Sequence, residues 1–278
     1  MQKKTLTLAQ VLERLEELWP QDGAADWDNS GLLSGDLNQE IHSILLAVDA
    51  VAETALEAAE GDFSLLLTHH PLIFRGLNSL IEQSYQGAVL SNLIRANCAL
   101  LAVHTNADVV PTGTSAVLAK KLGLSKTRVI DPGKAPNTGI GIVGDLAKPI
   151  RLSDFAGLLA DILPVTASGI RVAGDPETLV QRVALCAGAG DSYLAEALVR
   201  ESDVYVTSDL RHHPAQEITE LAAQGIAPAL VDISHWAAES LWLEQAAVEL
   251  ELLLPNVKIA ISKTNTDPWD FLVIQHEG

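Results

Sequence analysis

Histidine and carboxylate side chains stand at three places where apolar stretches of the sequence end. His69 and His70 close one such stretch, and Asp108 follows a second. His235 and Glu239 come after a third and are four residues apart, so a helix would place both on one face. Imidazole and carboxylate groups are suitable ligands for Zn²⁺, Fe²⁺ and Mn²⁺. The three segments together predict a site for divalent metal ions.

Two ions suit these five side chains better than one. The neighbours His69 and His70 can each bind a different ion, while the two carboxylate oxygens of Glu239 can bridge the pair. Asp108 would complete one coordination sphere and His235 the other, which leaves open positions on both ions, as in catalytic sites. A water held between metals about 3.5–4 Å apart becomes a hydroxide nucleophile at neutral pH.

Each segment also has an ordinary explanation. The histidine pair could be a solvated strand end, and Asp108 could be a turn or cap residue. His235 and Glu239 could be a surface pair on a helix. The metal interpretation therefore depends on finding all three segments in one chain.

Two further histidines are candidates for catalysis. His104 lies four residues before Asp108, where it could contact a metal ligand or the substrate, although a hydrogen-bonded core histidine is almost as good an explanation. His213 follows a strand end at a loop-to-helix turn, where it could act as an acid or base; a solvated turn is the alternative. Asp28 could occupy a turn or hydrogen-bond a ligand histidine.

Strand-like apolar runs alternate with helical patterns along nearly the whole chain, which predicts an α/β fold. Strands are predicted at 43–48, 63–68, 99–103, 139–144, 170–173, 183–186, 204–207, 229–232 and 257–261. Helices are predicted at 51–59, 88–96, 114–122, 153–163, 192–200, 215–223 and 235–253, after an amphipathic first helix. The candidate ligands follow strands, and ligands of open α/β sheets collect at the carboxyl ends of strands.

The two halves of the chain have a similar order of elements. Thr68 and Thr207 each end a strand ahead of a His-His-Pro sequence. A diverged internal duplication explains this similarity, and the general repetition of βαβ units explains it equally well. The segment 126–137 interrupts the pattern with an Asp-Pro-Gly turn signal and is a candidate domain boundary.

Composition restricts the function further. The 278 residues have a formal net charge of −18 and no cluster of Lys and Arg, so nucleic-acid binding is not expected. The absence of a long uncharged apolar run argues against a membrane span, and the N-terminal sequence lacks a secretory apolar core. Cys98 and Cys186 lie in apolar contexts, which indicates core thiols in a reducing compartment such as the cytoplasm.

Several segments occur in the order and nearly the full span of a known family's motifs. The chain resembles the NIF-three-like dinuclear metal-centre family, often called GTP cyclohydrolase I type 2 homologues, at Trp27–Leu32, Thr68–Pro71, His104–Asp108, Thr207–Asp209 with His212 and His213, and Asp232–His235 with Glu239. Ser234 and Trp236 stand where the family usually has glycine and tyrosine. Neither change removes a ligand, and Ser234 could cap the ligand helix.

The resemblance implies a particular architecture. It implies two interlinked α/β domains of similar topology with the metal site between them. Residues 1–126 with 233–278 would form the first domain, and 127–232 the second. It also implies a toroidal homohexamer with two divalent ions, Zn, Fe or Mn, in each subunit.

The resemblance also implies how the ligands are shared. By motif position, His69 and His235 would bind one ion, His70 and Asp108 the other, and Glu239 both.

Two functions from different classes fit this expectation. The first is a metal-dependent hydrolase acting on a nucleotide or phosphoester, with GTP indicated by the family name. The second is a non-catalytic hexameric protein that holds metal or regulates a partner. A rate with a bell-shaped pH dependence, lost on Glu239→Gln, would separate the first from the second.

Overall fold

The computed structural model describes residues 5–274 of the chain. Its strands are β1 (Leu6–Thr7), β2 (Gly31–Ser34), β3 (Glu40–Ile41), β4 (Ser43–Ala47), β5 (Leu65–Thr68), β6 (Ala99–Ala102), β7 (Ser125–Pro132), β8 (Gly139–Arg151), β9 (Arg171–Ala173), β10 (Leu179–Ala189), β11 (Val204–Ser208), β12 (Ala229–Asp232) and β13 (Lys258–Ile261). Its α-helices are α1 (Leu8–Leu15), α2 (Ala52–Glu60), α3 (Tyr85–Arg95), α4 (Thr105–Asp108), α5 (Thr114–Lys121), α6 (Leu152–Ile162), α7 (Ala197–Arg200), α8 (His212–Ala223), α9 (His235–Ser240) and α10 (Trp242–Leu253). The alternation of strands and helices confirms the predicted α/β class.

The chain folds as two compact units. The first contains the chain up to Thr112 together with Leu243–Thr266, and the second contains Gly113–Trp242 and the chain from Asp267 onward. The sequence had placed α5 and α9 in the first domain. In the structure both belong to the second unit, because α5 packs on β8 and β10 and α9 packs on β10.

The first unit is built on a five-stranded sheet in the order β13-β4-β5-β6-β2. The strands β13, β4, β5 and β6 are parallel, and β2 is antiparallel to β6. Every residue of β4, β5 and β6 is buried, which fits their uninterrupted apolar sequences. Thr68 at the end of β5 pairs with Ala102 at the end of β6, so the residues after these strands leave the sheet at one edge.

The second unit is built on a six-stranded sheet in the order β7-β8-β10-β11-β12-β9. At its centre β10, β11 and β12 are parallel, with Thr207, one residue before the end of β11, paired with Asp232 at the end of β12. In this unit the candidate ligands His235 and Glu239 follow the carboxyl end of β12. The long antiparallel hairpin of β7 and β8 extends this sheet.

Four sequence predictions of local structure were wrong. The segment predicted as a boundary contains β7, an exposed edge strand whose polar residues hide the strand pattern, and its Asp-Pro-Gly sequence leads into the hairpin turn. The helix predicted at 192–200 is reduced to a 3-10 turn at Asp191–Tyr193 and the short α7, because Glu196 is extended. Helix α8 begins at His212 rather than 215, and Leu241 separates α9 from α10.

The two cysteines are buried and not disulfide-bonded, as predicted for core thiols. Burial raises the pKa of the Cys98 thiol to about 12, even though a hydrogen bond from the Leu66 backbone acts in the opposite direction. Across residues 5–274, none of the helices is long and apolar enough to cross a lipid bilayer.

Candidate metal centre

Three imidazoles converge at one edge of the five-stranded sheet. His69 and His70 follow β5, and His104 follows β6. One nitrogen atom of each ring lies within 4.8 Å of a nitrogen of the other two. The ring centroids are 5.2 Å apart for His69 and His70, 5.2 Å for His69 and His104, and 5.4 Å for His70 and His104. These three residues are called the first histidine group.

His69 is the most deeply placed member of this group. Its side chain has no exposed surface, and its Nδ1 lies 2.9 Å from the carbonyl oxygen of Val103. A carbonyl only accepts hydrogen bonds, so Nδ1 carries a proton, and Nε2 is the ring nitrogen that could bind a metal ion. The carboxylate Oδ1 of Asp108, on α4, lies 3.6 Å from Nε2.

His70 is oriented by a carboxylate. Its Nδ1 lies 2.7 Å from Oδ1 of Asp49, which follows β4. The other oxygen of Asp49 accepts a hydrogen bond from the hydroxyl of Thr266. A carboxylate behind an imidazole fixes the ring and makes its other nitrogen a better metal ligand.

His104 is oriented in the same way by Asp28. The two side chains are joined by a bond of 2.8 Å between Nδ1 and Oδ1. Asp28 also accepts bonds from the hydroxyls of Ser30, at 2.6 Å, and Thr105, at 2.5 Å. Burial raises the pKa of Asp28, but the hydrogen bonds from His104, Ser30 and Thr105 lower that pKa well below its usual range. Asp28 is therefore a fixed anion behind His104.

The second unit contributes a histidine and a glutamate from one helix face. His235 Nε2 lies 2.9 Å from Glu239 Oε1, one helical turn away on α9. His235 Nδ1 lies 2.7 Å from Oδ2 of Asp209, which follows β11. These two residues, His235 and Glu239, are called the second ligand pair. Ser234 caps α9 by accepting a bond from the amide of Ala237, which confirms the predicted cap.

A glycine makes room for the second ligand pair. Gly188, near the end of β10, has φ +82°, a backbone conformation in which a residue with a side chain would be strained. A Cβ atom there would lie 2.5 Å from Glu239 Oε1 and 3.4 Å from His235 Nε2. The backbone of β10 can approach the two ligand atoms only because this residue has no side chain.

Two carboxylates act on the protonation of His235. Burial lowers the pKa of His235, but the negative charge of Glu239 and the hydrogen bond to Asp209 raise it, and the net pKa is about 11. A divalent cation could replace the proton that His235 shares with Glu239, because metal binding to histidine releases a proton.

His213 is placed differently from His104. It is exposed at the first turn of α8, with its ring 5.1 Å from that of His212. Within residues 5–274, it joins neither the first histidine group nor the second ligand pair.

A family model now gives these observations a context. The model of Duf34/NIF3 (NGG1p interacting factor 3) matches residues 6–268. The chain belongs to the DUF34/NIF3 family. A Streptomyces coelicolor protein named GTP cyclohydrolase 1 type 2 homolog is 39% identical over 94% of this chain and 93% of its own length.

Solved structures of this family share the fold. The crystal structure of the Staphylococcus aureus hypothetical protein SA1388 superposes with a TM-score of 0.87 at 27% identity, covering 97% of this chain and 100% of that one. A Bacillus cereus protein related to NIF3 has the same TM-score, 0.87, at 22% identity, covering 97% and 100% of the two chains. The predicted family and fold are thus confirmed.

Sequence reasoning missed several residues that contact the candidate ligands. Asp49 had no assigned role, yet it follows β4 at the edge where the first histidine group lies, and this position could have indicated it. Asp209 was noted only as part of a motif. Gly188 was not among the predicted site residues, yet its backbone lies against Glu239. Thr266 gave no signal, because its contact with Asp49 joins segments far apart in sequence.

Proposed function

We propose that this protein binds two divalent metal ions through His69, His70, Asp108, His235 and Glu239. The observation that carries the proposal is the orientation of the imidazoles: His69, His70 and His235 each hold a carbonyl or carboxylate oxygen at Nδ1. Metal-binding histidines almost always have such a partner on the nitrogen that does not bind the metal. The sharing of the ligands between two ions follows the family resemblance given above.

We further propose that the metal-bound protein hydrolyses a nucleotide or a phosphoester. A pair of divalent ions would supply an acidified water and polarise the bond to be broken. The position of His104, with its ring centroid 5.2 Å from that of His69 and 5.4 Å from that of His70, supports a role for it beside the proposed ions. The name carried by the relatives, GTP cyclohydrolase 1 type 2 homolog, supports a nucleotide.

The two catalytic candidates, His104 and His213, are supported by different observations. His104, a member of the first histidine group, is proposed to contact the substrate. His213 is carried as the second candidate, on the family motif alone. The assembly proposed for the protein is a homohexamer, again on the family resemblance.

The decisive experiment is elemental analysis of the purified full chain. Wild-type protein is expected to hold about two equivalents of metal, and His69→Ala and Glu239→Ala are expected to lose most of it. His42→Ala is the matched control. His42 is exposed, and its Nε2 lies 3.2 Å from the carbonyl oxygen of Asp62, which is not a candidate ligand. Circular dichroism checks that each variant folds, and equal metal content in all four proteins would refute the site.

Catalysis is tested separately with the metal-loaded protein. Turnover of GTP or of a phosphodiester, with a bell-shaped pH dependence that disappears in Glu239→Gln, is the expected result. Full metal content with no turnover of any of these substrates would instead favour the non-catalytic metal-binding protein. Sedimentation of the same samples gives the assembly, and a monomer would rule out the hexamer.

A further inference from the structure

Two exposed aromatic rings lie against the imidazole of His104 in the first histidine group. The ring centroid of Trp27 is 5.9 Å from that of His104, with an angle of 79° between the planes. The ring centroid of Phe74 is 5.7 Å from that of His104, at 78°. Trp27 is 67% exposed and Phe74 50% exposed. Exposed apolar surface rimmed by polar groups is a feature of interaction and ligand-binding sites.

The segments that carry these two rings are held in place. Trp27 precedes Asp28, whose carboxylate is bonded to His104 and to the hydroxyl of Thr105. The side-chain amide of Asn29 donates to the carbonyl oxygen of Ile73, the residue before Phe74, at 2.5 Å. The backbone segments that carry the two rings are therefore held by hydrogen bonds, which reduces the entropy lost when a ligand binds.

We propose that Trp27 and Phe74 bind the planar heteroaromatic ring of the substrate beside the metal ions. This inference rests on the proposed function, and it narrows the substrate from any phosphoester to one that carries a nucleobase-like ring. Flat aromatic faces stack on bases with little dependence on the particular base. Small-molecule sites combine such apolar walls with a few converging polar groups, and here the imidazoles of the first histidine group are those groups.

The charge of the chain explains the orientation of this substrate. With a formal net charge of −18, the protein surface repels phosphate in general. Bound divalent cations at the first histidine group would attract the phosphates locally. The apolar Trp27 and Phe74 rings, which carry no charge, are left for the base. A nucleotide would then lie with its phosphates towards the ions and its base against the Trp27 and Phe74 rings.

The experiment measures binding of GTP, guanosine and ribose 5-phosphate to the full chain loaded with Zn²⁺, by equilibrium dialysis. GTP and guanosine are expected to bind, and ribose 5-phosphate more weakly than GTP. Trp27→Ala is expected to weaken the binding of GTP and guanosine about 5- to 150-fold, the range for loss of one base–aromatic stack, and to leave ribose 5-phosphate unchanged. Phe74→Leu should act in the same direction, whereas Trp27→Phe should keep most of the affinity.

The chain offers a matched control. Trp269 is also 67% exposed, but it lies in the second unit near the end of the described chain. Trp269→Ala should leave every affinity unchanged. Equal effects of Trp27→Ala and Trp269→Ala, or no binding of guanosine and GTP to the wild type, would overturn the proposal. So would a change of sedimentation coefficient in Trp27→Ala with unchanged base affinity, because it would assign the rings to an interface between copies.

Metal content in the same samples separates this inference from the proposed function. Two equivalents of metal together with a Trp27-independent affinity would refute the inference and leave the metal centre standing. Binding of guanosine that depends on Trp27 in a protein without metal sites would do the reverse.

Discussion

The two units of this protein present candidate metal ligands in different ways. The first histidine group is assembled from the ends of two neighbouring strands, β5 and β6, whose order in the sheet brings the three rings together. The second ligand pair comes from a single helix turn on α9, where spacing along the chain is enough. Assembly from strand ends brings ligands from distant segments together, whereas the helix pair is supported by a cap, by Asp209 and by the close backbone of Gly188.

The carboxylates that orient the ligand histidines of the two units differ in their exposure to water. The Asp49 side chain, behind His70, is 24% exposed, whereas the Asp209 side chain, behind His235, is 60% exposed. A partner shielded from water cannot be replaced by solvent when it is removed, and its charge is less screened. The comparison predicts that metal binding in the first unit depends more on the carboxylate of Asp49. Metal binding in the second unit should depend more on the space that Gly188 leaves.

The largest effect is expected from Gly188→Ala. The added Cβ would meet Glu239 Oε1 and force a side chain into a backbone conformation with φ +82°, at a cost of about 1–2 kcal/mol in stability before any clash. The second ligand pair would be displaced, so metal content should fall from about two equivalents to one or fewer. Elemental analysis measures it.

The control for this substitution is Gly157→Ala in α6. No atom would lie within 4 Å of its new Cβ, and alanine favours the helix by about 0.5–1 kcal/mol. Full metal content in both alanine variants would show that the space at Gly188 does not matter.

The next effect compares the two supporting carboxylates directly. Asp49→Ala is expected to reduce the affinity for Zn²⁺ about 10- to 100-fold, the usual range for losing the partner of a ligand histidine. Asp209→Ala should reduce it less, because water can replace an exposed acceptor. Competition with a chelator gives both affinities, and an equal or larger loss in Asp209→Ala would contradict the comparison.

A smaller effect concerns the helix caps of the two units. Ser234 caps α9 and also bonds the carboxylate of Asp267, while Thr7 caps α1 through a reciprocal pair of bonds with Gln10. Ser234→Ala and Thr7→Ala should each lower the free energy of unfolding by about 0.5–2 kcal/mol. The loss should be larger for Ser234, which has the additional partner. Urea denaturation measures both, and a larger loss for Thr7 would show that the Asp267 bond contributes nothing.

The smallest expected change is in thiol chemistry. Because burial raises the pKa of Cys98 to about 12, this thiol should remain protonated at pH 9, where an ordinary cysteine is mostly ionised. The folded protein should therefore react slowly with a disulfide reagent at pH 9, and both cysteines should react at once in denaturant. Rapid reaction of the native protein would show that local unfolding readily exposes its thiols to solvent.

Much of the fold followed from local patterns. The buried strands β4, β5 and β6 are continuous apolar runs, and such runs are recognisable without knowledge of their neighbours. The edge strand β7 was missed because its side chains are mostly exposed and polar, so hydrogen bonding to β8 rather than apolar burial makes it a strand. The break in the helix predicted at 192–200 also depends on one extended residue, Glu196. Glutamate is a good helix former, so its residue type does not predict the break.

The sequence alone predicted which side chains could bind metal, and it determined that His235 and Glu239 share one helix face, because the period of a helix places residues four apart on the same side. It also determined the family, since the motifs retain their order. Only the tertiary structure decided that His104 joins His69 and His70, that Asp49 and Asp28 lie behind two of these rings, and that Thr266 bonds Asp49. Those contacts depend on which strands are neighbours, and strand order is fixed by packing over the whole sheet rather than by any local segment.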